Sequence, residues 1–251
     1  MLPSAYDLRE YYLSPQGMAV RAMLHDRIQS WLPQDGLEGA IVAGAGYALP
    51  YLETPAERGA QTFDVLSGQM GALAWPAGGA QRCVLAECGY WPLPGASLDA
   101  IIMVHELEYA DDPAAVLDEA WRVLKPEGRL LLVVPNRTGL WARAERTPLG
   151  HGRPFTSGQL YELLREREFT LDRMTGALVA PPLRFETYNR NIAPVLEHLA
   201  PFCAALSGAI VVDARKRLFA PIKGKTKPVA RRAAILSPAA GGMTQRNRAE
   251  D

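Results

Sequence analysis

Two short apolar runs in this chain end on residues that can do chemistry. Gly44-Ala45-Gly46 follows Ala40 to Ala43 directly, and His105-Glu106 follows Ile101 to Val104. A glycine pair one residue apart lets a chain turn sharply at a strand end and lets a ligand approach its backbone. An imidazole titrates near neutral pH, so His105 at a strand end is the candidate for moving a proton. Other reaction classes find little support. The chain has no Gly-x-x-x-x-Gly-Lys-Ser/Thr phosphate loop, no His-Glu-x-x-His zinc helix and no Gly-x-Ser-x-Gly nucleophile elbow. Its cysteines, Cys83, Cys88 and Cys203, lack the paired spacing of a metal site, so no metal is expected.

Such residues need a sheet to hold them. Ile101 to Val104 reads as a strand buried on both faces. Asp111, Asp112 and Pro113 start a helix whose apolar face is Val116, Leu117, Ala120, Val123 and Leu124. Pro126 and Gly128 stop it before Leu130 to Val134 resumes as strand. This is a βαβ unit, which requires a parallel sheet and an α/β domain. Gln61 to Leu66 and Cys83 to Glu87 read as further strands, and Tyr47 to Leu52 opens a helix near Pro50. Glycines and prolines keep Ser67 to Ala80 from any long helix. Ser157 caps a helix carrying Leu160, Leu163 and Leu164. The last two strands are expected at Phe169 to Met174 (or Ala177 to Ala180) and at Ala209 to Val212.

A chain of 251 residues suffices for one well-packed domain with small additions. We divide it into an N-terminal helical arm, 1–35, an α/β domain, 36–220, and a flexible basic tail, 221–251. Balanced charge, with 27 basic and 27 acidic residues, argues against a nucleic-acid-binding surface. The tail is basic but has no aromatic residue for base stacking, so it reads as solubilising. No apolar run is long enough to span a membrane, and the N-terminus does not read as a secretory signal. A reduced, cytoplasmic protein is expected.

The wording of the central segment is more specific than its pattern. Leu93-Pro94-Gly95-Ala96-Ser97-Leu98-Asp99, His105-Glu106-Leu107-Glu108, Arg122 to Gly128, and His151 to Ser157 resemble class I S-adenosylmethionine-dependent methyltransferases of the type 11 group. The resemblance implies a Rossmann-like doubly wound sheet of about seven strands, mostly parallel with an antiparallel last strand and helices on both faces. It implies S-adenosylmethionine as cofactor and in-line methyl transfer to an acceptor, small or macromolecular. It places Gly44, Ala45 and Gly46 in the cofactor loop, with Gly46→Val expected to remove cofactor binding without unfolding. An acid closing the second strand would hold the ribose, a place falling on or near Leu66 with Asp64 as the substitute. Glu87 would contact the adenine amino group and the Cys88 amide an adenine ring nitrogen. His105 would border the methionine moiety and is the catalytic candidate. The sequence departs from the family's Asp-x-Gly-x-Gly-x-Gly pattern at Val42 and Ala48. Two alternatives therefore stand: a degenerate methyltransferase-like binding or scaffold module, and an NAD(P)-dependent oxidoreductase. The second fits less well, because Leu49 fails the third glycine place of a dinucleotide loop.

Overall fold

The structure is a computed structural model that describes residues 3–33, 36–76, 78–183, 192–197 and 206–217. The basic tail and Cys203 lie outside these residues. Two helices open the chain, α1 (Ala5–Leu13) and α2 (Pro15–Trp31), followed by β1 (Ile41–Gly46). A short 3-10 turn at Leu49–Tyr51 leads into α3 (Glu53–Glu57), then β2 (Gln61–Ser67), β3 (Cys83–Ala86), β4 (Leu98–Val104), α4 (Pro113–Val123) and β5 (Leu124–Pro135). Two further 3-10 turns precede α5 (Ser157–Glu166), β6 (Phe169–Ala177), α6 (Ala193–Glu197) and β7 (Ala209–Lys216).

The strands form one seven-stranded sheet in the order β3-β2-β1-β4-β5-β7-β6. β1 pairs in parallel with β2 and β4, and β7 runs antiparallel to both β5 and β6. Both faces are buried, because alternate side chains of each strand enter different cores. Val42, Ile102, Val104, Leu131 and Val211 pack under α1 and α2, with Leu8, Tyr12, Leu24 and Ile28. Ala43, Ile101, Met103, Leu130 and Val212 pack under α4 and α5, with Val116, Leu117, Leu160 and Leu164. The N-terminal arm is therefore one of the two layers that cover the sheet.

Several boundaries differ from expectation for local reasons. Tyr47 to Leu52 is not one helix: the 3-10 turn around Pro50 intervenes before α3. Strand pairing of β3 stops at Ala86, and Glu87 instead bridges to Tyr90 across a tight turn. The cap of α5 is Thr156, not Ser157. Its side chain accepts from the Gln159 amide, and the Gln159 side chain closes a capping box. Asp112 caps α4 by accepting from Ala114 N and Ala115 N. Asp112→Ala is expected to cost about 1 kcal/mol of stability, read as a lowered denaturant midpoint. Among the described residues no helix is long and apolar enough to cross a membrane.

Candidate functional site

In this order of strands the chain reverses direction across the sheet between β1 and β4. In open α/β sheets, ligands bind beyond the carboxyl ends of the strands at such a reversal. The crevice here has two unequal parts.

Over the ends of β2, β3 and β4 it is open. A cavity of about 610 Å³ lies there, lined by Ser67 to Met70 at the end of β2 and beyond, Leu85 to Cys88 at the end of β3 and beyond, and Glu106 and Tyr109 to Asp112 after β4. That volume is in the range of small-molecule sites. Glu87, Glu106, Asp111 and Asp112 contribute carboxylates to its wall, and among the described residues no Lys or Arg lines it. Glu106 is almost wholly buried and accepts from Cys88 Sγ at 3.2 Å. Burial pushes its carboxyl up to about 7, with the Cys88 bond opposing and the Glu108 charge adding. Burial also raises the Cys88 thiol, so no reactive thiolate faces the cavity. Tyr109 is braced from behind, its hydroxyl donating to Pro148 O at 2.7 Å.

Over β1 and β4 the crevice is filled. Every residue from Val42 to Pro50 is buried. The Tyr12 hydroxyl of α1 lies 2.9 Å from His105 Nε2, and His105 Nδ1 lies 3.0 Å from Glu108 Oε1. The Tyr12 ring stacks on Tyr47, with centroids 5.6 Å apart. His105 holds φ at 56°, a left-handed backbone uncommon outside glycine. Gly46 also has positive φ, 78°. A Cβ there would overlap Val104 O, and it would lie 2.7 Å from His105 O and 2.8 Å from Glu106 Cβ. That glycine is demanded by the end of β4 itself, so Gly46→Val strikes the fold, contrary to the expectation of an intact protein.

Of the residues singled out from sequence, Glu87 and Cys88 share the open cavity, while Gly44, Ala45, Gly46 and His105 lie in the filled part. Leu66 is buried core. Asp64 is wholly buried in β2, opposite Gly44 in register, and does not reach the cavity. A Cβ on Gly44 would overlap the Asp64 carboxylate, so the missing side chain is what makes room for the acid. Burial first, and Glu106 second, raise the Asp64 carboxyl well above the usual range. Cavity residues not singled out for the site include Ser67, Gln69, Tyr109 and Asp111. Ser67 and Gln69 directly follow the second apolar run, a position that marks them once the strand end is known. Two of the arginines after β5 turn to backbone: Arg137 donates to Pro154 O and Arg146 to Pro182 O.

Comparison with known proteins shows the same fold and a partial family match. Residues 41–132 match the model of a methyltransferase domain family. A probable S-adenosylmethionine-dependent methyltransferase of Mycolicibacterium smegmatis is 34% identical over 87 residues, 34% of this chain and 34% of that protein. The chain thus matches about a third of the length of this curated relative. A solved S-adenosylmethionine-dependent methyltransferase from Thermotoga maritima, described as a possible histamine N-methyltransferase, superposes with TM-score 0.56. It is 20% identical and covers 83% of this chain and 94% of its own. The [4+2]-cyclase SpnF superposes with TM-score 0.53 at 17% identity, over 87% of this chain and 98% of its own. The sheet is that of class I S-adenosylmethionine-dependent methyltransferases. Residues 41–132 are the part of the chain that carries the family's sequence.

The cofactor of that class fits this chain in part. The open cavity has the volume, carboxylates and backbone edges that a nucleoside requires. The region above Gly44 to Gly46, where the amino-acid portion would lie, is occupied by Tyr12, Tyr47 and His105.

Proposed function

We propose that this protein is an S-adenosylmethionine-dependent methyltransferase that seats the adenosine half of the cofactor in the cavity over β2, β3 and β4. The observation that carries this reading is the lining: four carboxylates, Glu87, Glu106, Asp111 and Asp112, and no basic side chain among the described residues. A negative wall favours a cationic ligand and disfavours the pyrophosphate of NAD(P), which asks for open helix amides or basic groups. The cofactor, when bound, supplies an electrophilic methyl group on a sulfonium. The remaining work belongs to the chain, and it is alignment of the acceptor with that group and exclusion of water.

Glu87 is placed to accept from an adenine amino group, and the Cys88 amide to meet a ring nitrogen. Ser67 ends β2 and Gln69 follows it, near the place where the family carries an acid, and they supply neutral partners for ribose hydroxyls. Gly44, Ala45, Gly46, Asp64 and His105 belong to the amino-acid half, with His105 as the candidate to hold a proton near the acceptor; Leu66 serves as packing beneath. We place the activity in the cytoplasm, a reading supported by the free thiols of Cys83 and Cys88.

Titration of the purified protein with S-adenosylmethionine, S-adenosylhomocysteine and NAD, followed by calorimetry, tests this. Binding of the first two alone is the expected result. Silence with all three supports the scaffold alternative, and binding of NAD alone the oxidoreductase. Glu87→Ala should weaken S-adenosylhomocysteine about tenfold, since one hydrogen bond to a charged group is lost. An unchanged Kd would remove Glu87 from the site.

A further inference from the structure

The nucleoside seat takes up one side of the open cavity. Ser67, Gln69, Glu87 and Cys88 stand on the β2 and β3 side, which leaves Glu106, Tyr109 and Asp111 on the β4 side without a task. We propose that this second side seats the methyl acceptor, that the acceptor is a primary or secondary amine, and that Glu106 binds it and takes its proton. This rests on the cofactor reading above.

Glu106 is only 3% exposed, yet it lines the cavity. Its Oε1 accepts from the Cys88 thiol, a weak donor, at 3.2 Å, and its Oε2 has no partner among the described residues. Buried polar groups in native proteins are nearly all partnered, and each exception calls for a cause. An ammonium group reaching in through the cavity brings the missing donor and the opposite charge together. An alcohol would donate to the same oxygen without the charge. A carboxylate or phosphate would face Glu106 and Asp111 with no Lys or Arg among the lining residues to receive it. Tyr109 adds an aromatic wall, held by its bond to Pro148 O, and Asp111 adds a second carboxylate at the exposed rim.

His105 cannot meet an acceptor in this cavity. It is buried, its ring nitrogens lie against Tyr12 Oη and Glu108 Oε1, and it is not part of the lining. Glu106, the next residue, is. The titratable groups that face Glu106 are Cys88 beyond β3, Asp64 on β2 and Glu108 two residues on, all of them acids. Burial pushes the Glu106 carboxyl up to about 7, so near neutral pH it is ionised in good part and still holds a proton well. The same desolvation loosens an ammonium's hold on its own proton. The carboxylate removes one N–H proton, and the freed nitrogen pair forms the N–C bond as the C–S bond breaks. That bond's electrons stay on sulfur as a neutral thioether, and Glu106 then returns its proton to water in the cavity.

The test titrates the full chain, saturated with S-adenosylhomocysteine, with benzylamine, benzyl alcohol and benzoate, followed by calorimetry. Benzylamine should bind at least about tenfold more tightly than the other two, since it alone brings a charged donor. Glu106→Gln keeps the shape of the side chain and should lose that preference while still binding S-adenosylhomocysteine. The unaltered protein gives a second readout. Its benzylamine affinity should rise as pH passes upward through about 7, because Glu106 ionises while the amine stays charged, and the variant's should not. With S-adenosylmethionine bound, the parent should form N-methylbenzylamine, and Glu106→Gln should lower kcat as well as raise KM. Equal binding of amine and alcohol, or an unchanged preference in Glu106→Gln, overturns the amine assignment and leaves the cofactor reading standing. Loss of S-adenosylhomocysteine binding in Glu106→Gln also overturns it, because the carboxylate then belongs to the cofactor. Absence of N-methylbenzylamine from a protein that binds both ligands overturns the proton transfer. A parent that binds no S-adenosylhomocysteine removes the cofactor reading and this inference with it.

Discussion

Gly46→Val is expected to lower unfolding free energy by about 3–5 kcal/mol, from strain at a special backbone angle combined with overpacking. Gly46 sits at φ 78°, a conformation that a β-branched residue adopts only under strain. The new side chain would also enter the space of Val104 O, His105 O and Glu106 Cβ. Two of those three are backbone atoms at the end of a central strand, so a rotamer change gives no escape. Moving β1 away is no better, because Tyr47 N donates to Val104 O at 2.7 Å and holds the turn against β4. Gly46→Ala carries the same angle and the same Cβ overlaps, so it should lose most of what Gly46→Val loses. Denaturant melts of both variants measure this. A Gly46→Val protein as stable as its parent would mean that the turn between β1 and the 3-10 segment is free to open. Ligand contact would then again be the better reason for the glycine.

The elements that the sequence made legible are those whose signals are local. Val116, Leu117, Ala120 and Val123 mark the buried face of α4 at helical spacing, and Asp112-Pro113 marks its start. Ile101 to Val104 and Leu130 to Val134 are apolar throughout because both faces of the sheet are covered, and they pair in parallel register. The wording around Arg122 to Gly128 proved to be scaffold. Arg122 holds Glu119 and the carbonyls of Trp91 and Leu93, and Lys125 pairs with Asp99 at 2.8 Å. Asp99 in turn accepts from Ile41 N, which ties the start of β1 to β4. A family resemblance resting on these residues therefore reports the sheet more directly than the chemistry. The site was less legible, because what decides it is non-local. Tyr12 and His105 are 93 residues apart, and no spacing rule joins them. Asp64 looked like a strand-end acid displaced by two residues. Its partner in register, Gly44, lies on another strand, so neither its burial nor its fit to the missing side chain follows from pattern.

Glu106→Gln should make the protein more stable above neutral pH, by up to about 3 kcal/mol at pH 8. Burial, partly offset by Cys88 and reinforced by Glu108, pushes the Glu106 carboxyl from an ordinary 4.5 up to about 7. A group whose folded value is raised binds its proton more tightly in the native state than in the unfolded chain. The stability this confers is complete below about pH 4.5 and is lost as pH rises through 7. A shift of that size corresponds to roughly 3 kcal/mol across the window. Glutamine keeps the shape and an acceptor for the Cys88 thiol but carries no charge to bury. The two proteins should therefore melt alike near pH 4.5 and separate steadily toward pH 8, with the variant ahead. Asp64 is raised by its own burial and by Glu106 itself, so the difference between the proteins contains the Glu106 titration together with the part of the Asp64 shift that Glu106 causes. Parallel curves would show that Glu106 is already ionised throughout and that the cavity wall is well solvated. The separation, where it appears, means that the wall gains a charge near working pH. Its attraction for a cationic ligand then strengthens over the same interval in which its own stability falls.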